Sequence, residues 1–346
     1  MLKKLIINLN IGWVFLTLLS YLSPWIHPGT FWPIAFLGLA FPVLMIINVG
    51  FIIAWLLTEW KYAFLSFFVI LLGWNNVFYF IGQGSSTIPN EQDLSIASFN
   101  TFGFKKLKEQ YQYDYPKMAQ IVKNKLKPYG QIDILCTQES NSFSSKVLDL
   151  ALKIPYSHQY SKQGAMVYSR FPILDKGSIR FSNETNSCVW TDIQTPNKVI
   201  RVYCVHLQSN RISTDTEDLI DRHELDNKRT WNRIGSILKN YKKFSGYRAN
   251  EAKEVRDHAT KSPYPVILAG DFNDHPLSYT YRMMSEGYND TFIKKGQGNG
   301  KTYKSFIPFL RIDYILADTG FEVGSHQIID PNLSDHKLIL SKLNTH

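Results

Sequence analysis

The hydrophobic pattern divides the chain into two unlike parts. Residues 1–90 are almost continuously apolar, with Lys3, Lys4, Glu59 and Lys61 as the formally charged side chains. Three apolar runs, at about 5–22, 31–57 and 62–80, are near or above the roughly 20 residues that cross a hydrocarbon core. Asn8 and Asn10 interrupt the first, and Pro42 and Asn48 fall within the second. Trp25, Trp32, Trp60 and Trp74 stand near the proposed ends, as interfacial anchors do. A signal peptide fits less well, because no small-residue cleavage site follows the first run and two more apolar runs come after it. Residues 1–81 therefore predict an all-helical membrane region with about three transmembrane helices. Lys3 and Lys4 favour a cytoplasmic N-terminus. The Pro24–Gly29 loop lacks Lys and Arg, whereas the Thr58–Lys61 loop carries a lysine. An odd number of spans then places the rest of the chain outside the cytoplasm.

After this region the period shortens. Residues 82–93 are polar, with Gly82, Gly84, Ser85, Ser86 and Pro89, and read as a linker. Strands are predicted at Leu94–Phe99, Ile132–Cys136, Ala165–Tyr168, Gly177–Phe181, Val189–Ile193, Val199–Val205, Val266–Leu268, Arg311–Ala317 and Lys337–Ser341. Thr195-Pro196-Asn197-Lys198 is a hairpin turn signal. Met118, Ile121, Val122 and Leu126 recur at helical spacing within Tyr115–Lys127. Further helices are predicted at Ser145–Leu152, in the polar stretch Asp215–His258, and at Pro276–Met284. Strands with interspersed helices fit two packed sheets covered by outer helices better than a regular βαβ series.

Charge adds little. The chain has 346 residues, 38 basic and 29 acidic, for a formal net charge of +9. This excess suits an anionic substrate or surface without naming one. Lys239, Lys242, Lys243, Arg248 and Lys253 read as a solvated helix face, and no familiar nucleic-acid-binding motif is present. Of the three cysteines, Cys136 reads as a small core residue. Cys188 and Cys204 lie on two strands of a predicted hairpin, where a disulfide is possible in an extracytoplasmic domain.

Candidate chemistry gathers at the ends of the apolar runs. Pro265-Val266-Ile267-Leu268-Ala269 runs into Gly270-Asp271-Phe272-Asn273-Asp274, delivering a carboxylate and an amide two positions apart. Glu139 follows another apolar run, and His206 ends a third. Ser334-Asp335-His336 lies near the C-terminus. Glu139 suits a hard divalent cation such as Mg²⁺, which takes oxygen ligands. Each piece also has a plain structural reading. Glu139 can be a salt-bridged strand end and His206 a hydrogen-bonded core residue. Asp271 with Asn273 can be a self-capping turn.

Taken together, Ser98-Phe99-Asn100, Thr137-Gln138-Glu139, Val205-His206-Leu207, Gly270-Asp271-Phe272-Asn273, Arg311-Ile312-Asp313-Tyr314 and Ser334-Asp335-His336 resemble, in order, the motifs of the endonuclease/exonuclease/phosphatase superfamily. That superfamily includes deoxyribonuclease I, exonuclease III, inositol polyphosphate phosphatases and neutral sphingomyelinases. The N-terminal part is similar to that of membrane-anchored bacterial members, notably of Bacteroidetes. The resemblance covers about residues 94–342. It implies an α+β fold, a four-layer α/β/β/α sandwich of the deoxyribonuclease I type, over residues 94–346.

The resemblance also implies roles. Glu139, Asn100 and Asp335 would serve a metal, Mg²⁺ with Mn²⁺ as a substitute. His206, Asp271, Asn273, Asp313 and His336 would be catalytic, with Asn273 and His206 on the substrate phosphate. Asp313 would orient His336, while Arg248 and Asp274 would give support. The expected reaction is direct attack by water on a phosphoester. The expected substrate is nucleic acid, with phospholipid, sphingomyelin or inositol phosphate as the alternative, and no protein partner is predicted. The expected location is the bacterial inner membrane, with the catalytic domain on the extracytoplasmic side. A reading of another class is a membrane-bound binding protein that has lost activity; it requires the matching side chains to be scattered.

Overall fold

The computed structural model describes residues 1–85, 93–159, 163–181, 186–209, 228–305 and 307–344. Residues 86–92 of the expected linker and 215–227 of the expected polar helix lie outside the described residues.

Two six-stranded sheets form the centre. The first runs β13 (Glu322–Ile329), β14 (Leu338–Asn344), β2 (Leu94–Asn100), β3 (Ile134–Asn141), β5 (Gln163–Ser169), β4 (Tyr156–Gln159). The second runs β10 (Tyr288–Asp290), β12 (Asp313–Asp318), β9 (Val266–Asp271), β8 (Val199–His206), β7 (Ser187–Gln194), β6 (Ile173–Arg180). Ile96, Ile134 and Val167 of the first sheet meet Val202, Ile267 and Ile315 of the second in one buried cluster. Helices α7 (Tyr115–Leu126) and α8 (Ser142–Leu152) cover the outer face of the first sheet through Met118, Val122, Val147 and Leu148. The long helix α9 (Lys228–Ala259) and α10 (Tyr279–Ser285) cover the second through Ala252, Val255, Tyr281 and Met284. This is the expected α/β/β/α order.

Several expected elements move. Helix α8 begins three residues early because Asn141 caps it in a capping box with Ser144. Strand β3 runs on to Asn141, so Glu139 lies inside a strand rather than beyond one. Strand β13 falls where the sequence pattern predicts no strand. The possible Cys188–Cys204 disulfide is absent, since all three cysteines are free and buried. The register explains this. Cys188 pairs with Val205 and Cys204 with Val189, so the two thiols project from opposite faces of the sheet.

The N-terminal region also differs from three simple spans. Among the described residues, helix α1 (Leu2–Ser20) is long and apolar enough by itself to cross a membrane, and the bent pair that follows it passes only if taken as one span. The second run breaks into α2 (Pro28–Leu39) and α3 (Phe41–Leu56), bent by 49°. Pro42 in the first turn of α3 cannot donate back across the junction. The third run gives the shorter apolar stretch Trp60–Leu72, which includes α4 (Ala63–Leu72), followed by α5 (Trp74–Val77). Contacts order these helices. Asn10 donates to Ser66 Oγ at 2.7 Å, and Trp55 donates to Asn10 Oδ1 at 3.0 Å. Asn48 donates to Thr17 Oγ1 at 2.8 Å. Helices α1 and α3 are therefore antiparallel, and Lys3 meets Glu59 at the end remote from the sheets.

The first residues of the expected linker are tied down. Strand β1 (Ile81–Gln83) pairs with β11 (Gln297–Asn299), and Gly84 N–H donates to the Gly296 carbonyl at 2.8 Å.

Candidate active site

The ends of both sheets converge on one group of polar side chains. Asp271 is the last residue of β9. Its register partner on the parallel neighbour β8 is His206, and on the antiparallel neighbour β12 it is Asp313. Three strands thus place His206, Asp271 and Asp313 in one row. From the first sheet, Asn100 at the end of β2 reaches across and donates to Asp271 Oδ2 at 3.0 Å and to Glu139 Oε1 at 3.1 Å. His336 arrives on the segment before β14. Its Nδ1 lies 3.1 Å from both carboxylate oxygens of Asp313, and its Nε2 lies 3.8 Å from Asp271 Oδ2.

Local backbone makes this convergence possible. Gly270 has φ +154°, and a Cβ there would sit 1.9 Å from the Val205 carbonyl oxygen, so only glycine admits the close β8–β9 approach. Asn273 adopts φ +53°, a left-handed conformation that Asn tolerates. Its N–H donates to Asp271 Oδ1 at 2.8 Å. The loop is therefore a self-capped turn as well as a site. Glu139 adopts φ +52° beside a β-bulge between Thr137 and Ser140, which re-aims its side chain toward the site.

Electrostatics follow from burial. Asp271 is 1 % exposed. Burial first, and the Asp313 charge second, push its carboxyl up to about 7 against the opposing effects of His336 and Asn100. Burial acts to lower His336, but Asp313 and Asp271 outweigh it and hold the imidazolium up to about 10. Burial dominates at His206 and lowers it, with Glu139 opposing. The site thus holds one imidazole biased to charge and one biased to neutrality.

A divalent cation fits this donor set. Among the described residues, Asp271, Asp313 and His336 offer ligand atoms within 4.8 Å of one another. The two aspartates bring four carboxylate oxygens, suited to a hard ion, and the His336 nitrogen becomes a ligand only once its proton is lost. His206 Nε2 is buried without a hydrogen-bond partner, 3.8 Å from Glu139 Oε1 and 4.0 Å from Asp271 Oδ2. A buried polar atom so placed, facing two carboxylates, marks space for a further polar group.

The structure brings together Asn100, Glu139, His206, Asp271, Asp313 and His336. Asp335 lies outside the metal-competent cluster, and its Oδ1 accepts from Ser334 Oγ at 3.0 Å. Asn100 meets the carboxylates as a donor, while its oxygen accepts from Phe102 N–H at 3.0 Å. The Asn273 amide donates to the Leu207 carbonyl at 2.8 Å and so braces the loop. Arg248 is fully buried and donates to Asp274 Oδ2 at 3.3 Å and to the Gln208 carbonyl at 3.0 Å. Beside Glu139 and His206 opens a cleft of about 380 Å³, walled by Phe102, Lys105, Asn141 and Gln208.

Other supports were not assigned from sequence. Thr302 Oγ1 accepts from the N–H groups of Ile312 and Asp313 at 3.0 and 3.2 Å. The Tyr303 ring lies 4.7 Å from the His336 ring. Tyr314 OH donates to the carbonyls of Asp274 and Arg311, both at 2.8 Å. The Arg311-Ile312-Asp313-Tyr314 string carried a signal for Arg311 and Tyr314. Nothing local marked Thr302.

Solved structures with this fold include humanized D. rerio TDP2, at 15 % identity and TM-score 0.54, covering 74 % of this chain and 100 % of that one. An endonuclease/exonuclease/phosphatase family protein from Bacteroides thetaiotaomicron matches at 16 % identity and TM-score 0.51, covering 74 % and 98 %. A mannosyl-6-phosphatase from the same organism matches at 16 % identity and TM-score 0.50, covering 73 % and 100 %. At such identities these are likenesses of fold. No curated protein matches the chain in sequence. Residues 3–80 match a domain of unknown function. Residues 97–336, which span every strand end in the site, match the Endonuclease/Exonuclease/phosphatase family, and the chain belongs to that family.

Proposed function

We propose that this protein is a membrane-anchored, metal-dependent phosphoesterase that works by direct water attack. The observation that carries the reading is the row His206, Asp271, Asp313 with His336 behind it, buried at the ends of two sheets. The reading as a binding protein without activity requires scattered side chains, whereas Asn100, Glu139, His206, Asp271, Asp313 and His336 meet in one site. Asp271 and Asp313, with Glu139 at their flank, would hold a divalent cation, which would supply charge neutralisation at phosphoryl oxygens. The protein groups divide the rest of the work. Asp271 orients the attacking water and accepts its proton. Charged His336, fixed by Asp313, donates to a phosphoryl or leaving-group oxygen. His206 Nε2 donates to another phosphoryl oxygen. Mg²⁺ is the favoured ion, with Mn²⁺ as a substitute.

Membrane anchoring rests on an inverted surface. Asn10, Thr17, Asn48 and Ser66 are buried between the helices, while Phe15, Ile53, Phe68 and Leu72 are 58, 55, 56 and 73 % exposed. Lipid favours this arrangement, with polar side chains gluing helices together and apolar ones facing out. Helices α3 and α4 are shorter than a full span, so crossing by all three requires tilt-free packing and local thinning of the bilayer. Lys3 and Lys61 at the remote end favour a catalytic domain on the extracytoplasmic face. Nucleic acid is the first substrate reading. Phospholipid or inositol phosphate is the second, favoured by the apolar surface that holds the domain at a bilayer.

The test is a screen of the full chain in micelles with Mg²⁺, Mn²⁺ or chelator. It compares bis(p-nitrophenyl) phosphate, DNA, RNA, phosphoinositides and sphingomyelin. Metal-dependent turnover lost in Asp271→Asn and His336→Ala is expected. Equal turnover by these variants overturns the assigned site, and no turnover on any substrate favours the binding-protein reading.

A further inference from the structure

The N-terminal helices do not merely tether the sheets; they pack directly behind two catalytic segments. The first contact is with the loop that follows Asp271. Tyr241 OH, on the long helix α9, donates to the Ala35 carbonyl of α2 at 3.0 Å, and Tyr241 is 1 % exposed. His275, 2 % exposed, packs against α2, where a Cβ on Gly38 would lie 2.8 Å from its Cε1 and 2.2 Å from Ser23 Oγ. Leu277 is buried with Phe41 and Phe80, and the His27 and Tyr279 rings meet at 5.0 Å. The second contact is with the segment that precedes Asp313. Arg311 Nε donates to the Tyr79 carbonyl at 3.0 Å, and Arg311 Nη1 reaches Asp290 Oδ2 at 2.8 Å. Gly300 N–H donates to the Phe80 carbonyl at 2.9 Å, close to Thr302, which receives the N–H of Asp313.

The two segments are themselves joined, because Tyr314 OH holds both the Asp274 and Arg311 carbonyls. Buried contacts therefore run from the helices to the segments that carry Asp271 on one side and Asp313 on the other. We propose that α2 and the Tyr79–Phe80 turn are positioning elements of the active site, with Gly38 and Arg311 as positioning residues, so that turnover depends on the helices being docked. This rests on the phosphoesterase reading above. The physical reason is geometric. Loop residues are held to catalytic tolerance by packing behind them, and a displacement of about 1 Å can cost on the order of a hundredfold in rate.

Gly38 provides the test because Gly50, on the neighbouring α3, has nothing within 4 Å of its would-be Cβ. Gly38→Leu wedges α2 from His275, and Gly50→Leu adds the same bulk to open space. The full chain in micelles is assayed with bis(p-nitrophenyl) phosphate and Mg²⁺, and hydrogen exchange is followed over residues 271–277. Gly38→Leu is expected to lower kcat by about tenfold or more with KM little changed, and to speed exchange in that loop. Gly50→Leu is expected to change neither. Should Gly38→Leu fail to accumulate, Tyr241→Phe removes a single hydroxyl and shows the same pattern at smaller amplitude. Wild-type kcat and unchanged loop exchange, with α2 exchange itself accelerated, overturn the proposal. If the wild type turns over no substrate, the phosphoesterase reading fails, while loop exchange still decides whether α2 positions residues 271–277.

Discussion

His336 Nδ1 stands 3.1 Å from both oxygens of Asp313, and no other described residue makes so close a carboxylate contact with either ring nitrogen of His336. This pairing fixes the ring and leaves Nε2 directed at Asp271. It also keeps the imidazolium charged, up to about 10, despite burial. The two side chains therefore form one unit that holds a charged Nε2–H toward Asp271.

Asp313→Asn keeps the shape and removes that charge. We expect kcat to fall by about a hundred- to ten-thousandfold. The His336 titration, read by NMR, should move down from its position near 10. An unmoved titration would separate the two residues and sink the pairing.

Asp271 makes cation binding pH-dependent. Its carboxyl titrates at about 7 in the metal-free protein, and the ligand form is the carboxylate. Below 7, cation binding must release this proton, so apparent affinity falls as pH falls through 7. The folding linkage runs the opposite way with pH. A raised carboxyl contributes stability that is present below the ordinary carboxylate range and lost as pH rises through about 7. Calorimetric titration with Mn²⁺ in two buffers of unlike ionisation heat reads the proton release. Equal proton release about one unit either side of 7 would refute the assignment.

Arg248 and Asp274 form a buried pair, 0 and 5 % exposed, directly beneath the catalytic loop. Removing one partner strands the other charge. Arg248→Met should lower unfolding free energy by about 3–5 kcal/mol, and adding Asp274→Asn should recover part of the loss. A double variant no more stable than Arg248→Met argues that the guanidinium acts only through the Gln208 carbonyl.

Asn10 joins three helices through Ser66 and Trp55. If lipid surrounds the bundle, Asn10→Leu should cost about 0.6–2 kcal/mol, because the helices remain apolar on every side. Unfolding in mixed micelles measures this. A loss well above that range would point to a water-solvated bundle.

The sequence by itself determined the strands whose ends carry the site. Val266–Ala269 and Val199–Val205 are apolar runs of strand length, and such runs encode their conformation locally. The ordered motifs likewise identified Asn100, Glu139, His206, Asp271, Asp313 and His336, all of which converge. What it left open was decided between distant segments. Register alone set Cys188 and Cys204 on opposite faces, since a shift of one residue reverses a side chain. Asp335 and His336 are neighbours in the motif, yet only His336 joins the metal-competent cluster. The break between α2 and α3 follows from Pro42, but the seat of α2 against Tyr241 and His275 does not. That contact links residues some two hundred positions apart, and hydrophobic periodicity states which face is buried, not what buries it. The tertiary structure supplied the partner. In doing so it changed the N-terminal helices from an expected tether into the wall against which the catalytic loop is set.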